Sequence, residues 1–171
     1  LVAWSKQMSS DSIEIPIDLP DVKVLSAKKT SLGEWLIELE STLKGTKCSR
    51  CGREINQFHG YGSAIRLRHL PLFEVPVWIE MRPKRYRCAH CEGKPTRTQQ
   101  VSWQEPRSGN TKPYERWLLK LLINSTVVDV ARKLNISDDC VVGVIDRWLA
   151  TQVNWNGVTQ MKIIGLDEIA L

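Results

Sequence analysis

The chain has 171 residues, 24 Lys+Arg, 19 Asp+Glu and a formal charge of +5, which allows one ordinary domain or two to three small modules. No apolar run approaches the roughly 18–20 residues that span a membrane, and no signal-peptide pattern is present. The charge is unevenly placed, with 4 Lys+Arg against 7 Asp+Glu over residues 1–43, 16 against 6 over 44–120, and 4 against 6 over 121–171, so the basic middle third suits a polyanion such as nucleic acid, with a solvated face the equal alternative on charge alone.

Leu1 in place of Met is read as the start of a fragment or of a processed chain. Residues 1–20 are irregular, interrupted by Pro16 and Pro20. Val22 to Ala27 and Glu34 to Glu40 alternate and predict a β-hairpin around the turn Lys28 to Gly33. Trp35, Ile37 and Leu39 would share one face. The competing reading is a short helix over Gly33 to Leu43. Residues 65–87 alternate again: Ile65, Leu67 and His69 against Arg66 and Arg68, then Val75, Val77, Ile79 and Met81 against Trp78, Glu80 and Arg82. Residues 92–113 are rich in Gly, Pro, Thr, Gln and Ser and read as a linker. From Tyr114 the pattern is helical. Asn154 to Gln160 reads as a turn, and Met161 to Leu171 as a short apolar strand.

Five cysteines occur, Cys48, Cys51, Cys88, Cys91 and Cys140. An odd count without a secretion signal argues against a disulfide framework and for a reducing cytoplasm. Cys48-Ser-Arg-Cys51-Gly52 and Cys88-Ala-His-Cys91 are two C-x-x-C knuckles separated by 36 β-rich residues. Each knuckle can put two thiolates on one metal, and two knuckles complete the tetrahedral four-sulfur set that Zn²⁺ prefers. Such a closed set leaves no open coordination position, so the metal holds the fold and does no chemistry. A redox dithiol would need only one C-x-x-C; a four-cysteine iron site uses the same ligands and stays open. Gly52 suits the tight turn of a knuckle. Arg50, Arg53, Arg85 and Arg87 would offset the negative charge of the centre. His59, His69 and His90 read as surface or strand histidines.

Thr126 to Trp148 has the spacing of a helix-turn-helix. Val127, Val130, Ala131 and Leu134 form the inner stripe of the first helix, and Val141, Val144, Ile145 and Trp148 that of the second. Asn135 stands where the turn needs a positive φ, Ile136 plugs it, and Ser137 is a good N-cap. Tyr114 to Ile123 supplies a preceding helix through Trp117, Leu118, Leu121 and Leu122. Cys140 is read as a packing residue. A generic helical hairpin is the bland alternative. The second helix exposes Asp138, Asp139 and Asp146 against one cation, Arg147, so the module either reads bases weakly or mainly supports dimerisation while the basic ribbon and linker hold the DNA backbone.

The candidate DNA contacts are Arg66, Arg68, Arg82, Lys84, Arg85, Arg87, Arg107, Lys112 and Arg147. Alternation puts Arg82 and Lys84 on one face and Arg85 and Arg87 on the other, so not all can touch one duplex. Trp78 and Tyr86 are read as core residues, not base contacts.

The order of these parts is specific: hairpin, C-x-x-C-G, strands with Leu70-Pro71, the basic run Arg82 to Cys88, the second C-x-x-C, the helix-turn-helix, then Gly165-Leu-Asp167-Glu168. Over about residues 20–171 the chain resembles the insertion-sequence transposases of the ISL3 family. That resemblance implies a zinc ribbon with Cys48, Cys51, Cys88 and Cys91 as ligands, a helix-turn-helix, and the start of an RNase H-like DDE domain with Asp167 as first carboxylate. The other two triad carboxylates do not occur before Leu171. The chain alone is therefore expected to be inactive, because two Mg²⁺ ions need more than one carboxylate, and Mg²⁺ belongs to a full-length relative.

The expected architecture is α+β: an N-terminal segment with the hairpin over 1–43, a zinc ribbon over 44–100, a linker over 101–113, a helix-turn-helix over 114–155 and an RNase H-like stub over 160–171. The expected partner is double-stranded transposon-end DNA in a bacterial cytoplasm, with a homodimer left open and no membrane. A zinc-ribbon transcriptional regulator and a zinc-stabilised protein-interaction module are the alternatives.

Overall fold

The computed structural model describes residues 17–149. The predicted turn over Asn154 to Gln160, the strand over Met161 to Leu171 and Asp167 lie outside the described residues. The described chain is α+β, with nine strands preceding three helices. It divides into two compact units between Pro113 and Tyr114.

In the first unit, β1 (Val22–Lys29) and β2 (Trp35–Ser41) form the antiparallel hairpin. The helix weighed for Gly33 to Leu43 does not form. The alternation of Ile37 and Leu39 with Glu38 and Glu40 matches a half-buried sheet face, and Gly33 closes the turn by donating to Thr30 O at 3.0 Å. After β3 (Thr46–Lys47), β4 (Glu54–Ile55) and β5 (Gln57–Tyr61) comes a second hairpin, β6 (Ile65–Leu72) and β7 (Val75–Met81). It is closed by Phe73 and Glu74, both at positive φ.

This second hairpin does not serve the ribbon in which it lies in sequence. β7 pairs in parallel with β2, giving a four-stranded sheet in the order β1-β2-β7-β6. The expected split into a hairpin over 1–43 and a ribbon over 44–100 therefore crosses a single sheet. The cause is burial. One face of β2 and one face of β7 are apolar, and the register puts Ile37, Ile79 and Leu67 in one row and Leu39, Met81 and Ile65 in the next. Two-stranded hairpins are marginal alone; joining them edge to edge merges their apolar sides into one face that a single layer can cover.

The segment read as a linker covers that face. Val101 and Trp103 are buried with Leu19, Leu39, Leu67, Ile79 and Met81. The backbone of Arg68 on the β6 edge accepts from Thr111 N–H at 2.9 Å and donates to Gly109 O at 2.9 Å, and buried His69 Nδ1 lies 2.9 Å from Thr111 Oγ1. Residues 101–111 are irregular yet packed, since two large apolar side chains in a polar stretch suffice to hold them down.

A separate three-stranded sheet, in the order β5-β8-β9, combines β5 with β8 (Lys84–Arg87) and β9 (Thr96–Thr98). It carries its own small core of Cys48, Ile55, Tyr86 and Cys88.

The second unit is helical. α1 (Lys112–Leu121) enters it, followed by α2 (Val127–Leu134) and α3 (Asp138–Trp148). Thr126 caps α2 and Ser137 caps α3, each side chain accepting from a backbone N–H three residues on. Asn135 sits at φ 51°, ψ 54° and ends α2. Tyr114, Leu118, Val130, Ala131, Val141 and Val144 are buried together, with Ile136 and Trp148 packed on them. Cys140 is exposed, contrary to its reading as packing. It lies in the first turn of α3, where Ser137 Oγ donates to its sulfur at 3.2 Å, and the core stripe passes through Val141 instead.

Candidate metal centre and nucleic-acid surface

The two knuckles are adjacent tight turns. The first follows β3: Cys48 N–H donates to Arg53 O and Gly52 N–H to Cys48 O, both at 2.9 Å. Gly52 takes φ +69°, a conformation that costs a side-chain-bearing residue about 1–2 kcal/mol. The second follows β8: Cys88 N–H donates to Pro95 O at 2.9 Å and Lys94 N–H to Cys91 O at 3.1 Å. Arg50 Nη1 reaches across to Glu92 O at 3.5 Å.

All four sulfurs lie within 4.8 Å of one another. Cys48 Sγ is 3.9 Å from Cys91 Sγ, and Cys51 Sγ is 3.8 Å from Cys88 Sγ. A tetrahedron with Zn–S bonds of about 2.3 Å has edges of about 3.8 Å. The sulfurs are far too distant for disulfides, whose bond is about 2.05 Å. The residues present thus fit Zn²⁺ held by Cys48, Cys51, Cys88 and Cys91. Cys48 and Cys88 are buried, Cys91 is half-buried and Cys51 is exposed.

The electrostatics suit metal loading. The backbone amides of Cys51 and Arg50, directed at the Cys48 sulfur, hold its thiol down to about 6. Cys91 is pushed up to about 12, first through its hydrogen bond with Cys51 and then by burial. One thiolate forms readily and disfavours another beside it. A divalent cation removes that conflict by replacing protons.

The nine basic candidates fall into separate groups. Arg66 and Arg68 lie on β6, their guanidinium carbons 4.8 Å and 5.5 Å from the centre of the Trp78 ring. Arg66 is also 3.8 Å from Glu34. Arg85 and Arg87 share one face of the three-stranded sheet, where Arg85 Nη2 donates to Thr96 Oγ1 at 2.8 Å and Arg87 Nη2 lies 3.1 Å from His59 Nε2. Arg82 and Arg107 are exposed. Three others hold the fold together. Lys84 Nζ donates to Ser41 O at 2.7 Å and lies 3.4 Å from Glu40. Lys112 pairs with Glu105 at 2.8 Å. Arg147 donates to Glu115 at 2.6 Å. Tyr86 is core, 2% exposed, its hydroxyl donating to Leu43 O, and Trp78 is half-buried.

Sequence reasoning missed Glu115. Its side chain is fully buried, and its carboxylate accepts from Arg147 Nη2 and from Trp148 Nε1, each at 2.6 Å. The signal was available: Glu115, Leu118 and Leu122 follow i, i+3, i+7 spacing, so Glu115 falls on the inner stripe of α1. The exposed face of α3 consequently carries Asp138, Asp139 and Asp146 while its one arginine is turned to Glu115. Arg116, exposed on α1, stacks its guanidinium 5.3 Å from the Trp148 ring centre.

A four-thiolate ribbon followed by a capped helix-turn-helix defines the class: a two-module, zinc-ribbon and helix-turn-helix protein. Comparison with known proteins narrows it. Residues 44–91 match the zinc-finger of transposase IS204/IS1001/IS1096/IS1165, and residues 99–149 match the helix-turn-helix domain of transposase family ISL3. The transposase for insertion sequence element IS1001 of Bordetella parapertussis is 27% identical over 135 residues, 79% of this chain and 32% of that protein. No solved structure matches the chain. In these two stretches the chain is similar to transposases of the ISL3 family, and it spans about a third of the length of the curated relative it matches. The helix-turn-helix match begins at Gln99, so it includes the packed segment ahead of α1.

Proposed function

We propose that the chain is the DNA-recognising N-terminal part of a transposase and that its target is transposon-end DNA. The observation that carries this reading is the acid-free basic sheet bound to the zinc knuckles: β5, β8 and β9 hold four Lys/Arg and no Asp or Glu. Arg85 and Arg87 on one face of that sheet, with exposed Arg82 and Arg107, are the proposed backbone contacts. Arg66 and Arg68, stacked beside Trp78, are a second set on the other sheet. Phosphate contacts of this kind give affinity that falls with salt, with a slope of about −0.9 per phosphate neutralised. Lys84, Lys112 and Arg147 are assigned to the fold instead.

In this reading α3 is not the main phosphate-holding element, because its solvent face is acidic. It supports the module and a homodimer contact. Asp167 as first carboxylate of a DDE centre with Mg²⁺ is part of the same proposal and concerns the longer relatives. Fluorescence anisotropy of the zinc-loaded chain on labelled duplexes tests it. End DNA should bind tighter than scrambled DNA, with log K falling linearly against log salt. Equal, salt-insensitive affinity for both would sink the reading.

A further inference from the structure

β5 contains an irregularity in its pairing with β8. Its register against β8 runs Phe58 to Tyr86 and then Tyr61 to Lys84, so β5 advances three residues while β8 advances two. The extra residue is a β-bulge, accommodated at Gly60, whose φ of +92° suits only glycine. In an unbroken strand, residues three apart point to opposite faces. The bulge puts Phe58 and Tyr61 on the same face, their ring centroids 5.3 Å apart and edge-on at 73°. Phe58 also meets Tyr86 edge-on at 6.3 Å. Tyr86 is core, but Phe58 and Tyr61 are 52% and 51% exposed.

We propose that Phe58 and Tyr61 form a stacking platform for unpaired nucleobases of the bound DNA. The proposal rests on the DNA-binding reading above and adds to it a preference for single-stranded segments. Charge selects this occupant. The three strands carry no carboxylate, and the face that holds the pair presents exposed Arg97, with Lys84 tied to Glu40 beside Tyr61 and Arg85 and Arg87 on the opposite face, which suits a polyanion. Arg97 is exposed and stands opposite Tyr86, in the same cross-strand row as Phe58. Two strand spacings, about 10 Å, separate it from Phe58, so a base can lie on the ring while a neighbouring phosphate meets the guanidinium. On its other side Tyr61 shares a cavity with Glu38, Glu40, Glu80 and Arg82. Those carboxylates repel phosphate, so the backbone of the bound strand runs from the pair towards Arg97 on β9.

The test uses the zinc-loaded full chain with a single-stranded oligodeoxynucleotide carrying 2-aminopurine, and with the matching duplex. Phe58→Leu and Tyr61→Leu should each weaken single-strand binding roughly 5- to 100-fold. Each should also abolish the 2-aminopurine quenching and leave duplex affinity within about twofold. Phe58→Tyr and Tyr61→Phe keep a ring and should restore both signals, which a merely apolar contact would not require. Zinc content, measured on every variant, reports retention of the ribbon. Unchanged single-strand affinity in the leucine variants, with zinc retained and duplex binding intact, overturns this proposal alone. Absence of binding to either form by the unsubstituted chain overturns the DNA-binding reading itself.

Discussion

Around the knuckles, the buried set is Cys48, Ile55, Tyr86 and Cys88 with Cys91 beside it, and three of those five are candidate metal ligands. Among the helices, Tyr114, Leu118, Val130, Ala131, Val141 and Val144 are buried, with partly buried hydrophobics such as Trp117, Leu122, Ile136 and Trp148 packed on them. The helical unit has the larger apolar core. The knuckle region has little, and in the proposed reading a bond network through one ion makes up for it. Its strands are also the shorter ones: β3 and β4 have two residues each, and β9 has three. A region with so little core can keep exposed rings and cations on its strands if a metal, and not packing, sets its shape.

That contrast gives a ranked set of expectations. Stripping the metal should have the largest effect, since structural zinc supplies on the order of 10–16 kcal/mol of apparent binding energy. Chelation or Cys88→Ala is expected to remove amide protection from β3 to β5 and from β8 and β9 while α1 to α3 keep theirs. Hydrogen exchange read by mass spectrometry checks this, and simultaneous loss in both regions would break the contrast. Retention should also fall on acidification, because protons compete for sulfurs of which one, Cys91, is pushed up to about 12.

Glu115→Ala should come next, and only in the helices. It strands Trp148 N–H and the Arg147 guanidinium. Because the Arg147 side chain is 32% exposed and can turn to water, the cost should stay near about 3 kcal/mol. Thermal unfolding would show it, with zinc content unchanged; loss of zinc would mean the two regions are not independent. Ser137→Ala removes the α3 cap and should cost about 1 kcal/mol, again without touching metal content.

The smallest effect concerns the four-stranded sheet. Burial holds His69 below its ordinary 6.5. The unfolded chain therefore takes up a proton that the folded chain excludes. The associated stability is present above pH 6.5 and is lost as pH falls from there towards the folded value. Melting curves at pH 7.5 and 5.5, compared with His69→Gln, isolate this contribution from metal release. An identical pH response in the variant would remove His69 from the account.

Much of the local structure was legible in the residues. The cysteine spacing marked both knuckles, and the helical periodicity with Thr126, Asn135 and Ser137 placed α2 and α3. These features are local: caps, turns and ligand pairs act over three or four residues, and the sequence states them directly. Even Glu115 was readable from its stripe, had its position been weighed above its residue type.

The amino-acid sequence by itself determined the paired cysteine knuckles, the helix caps and the alternation of the strands. The tertiary structure alone decided that β7 pairs with β2 across the 33 residues, 42–74, that separate them, that Trp103 turns a polar stretch into a packed strap, and that Lys84 and Arg147 are internal ties. Alternation says that a strand has an apolar face but not which other face will cover it, and a cation's sequence position does not reveal the carbonyl or carboxylate it will meet. Those partners lie far along the chain, where burial and desolvation, not local spacing, choose among them.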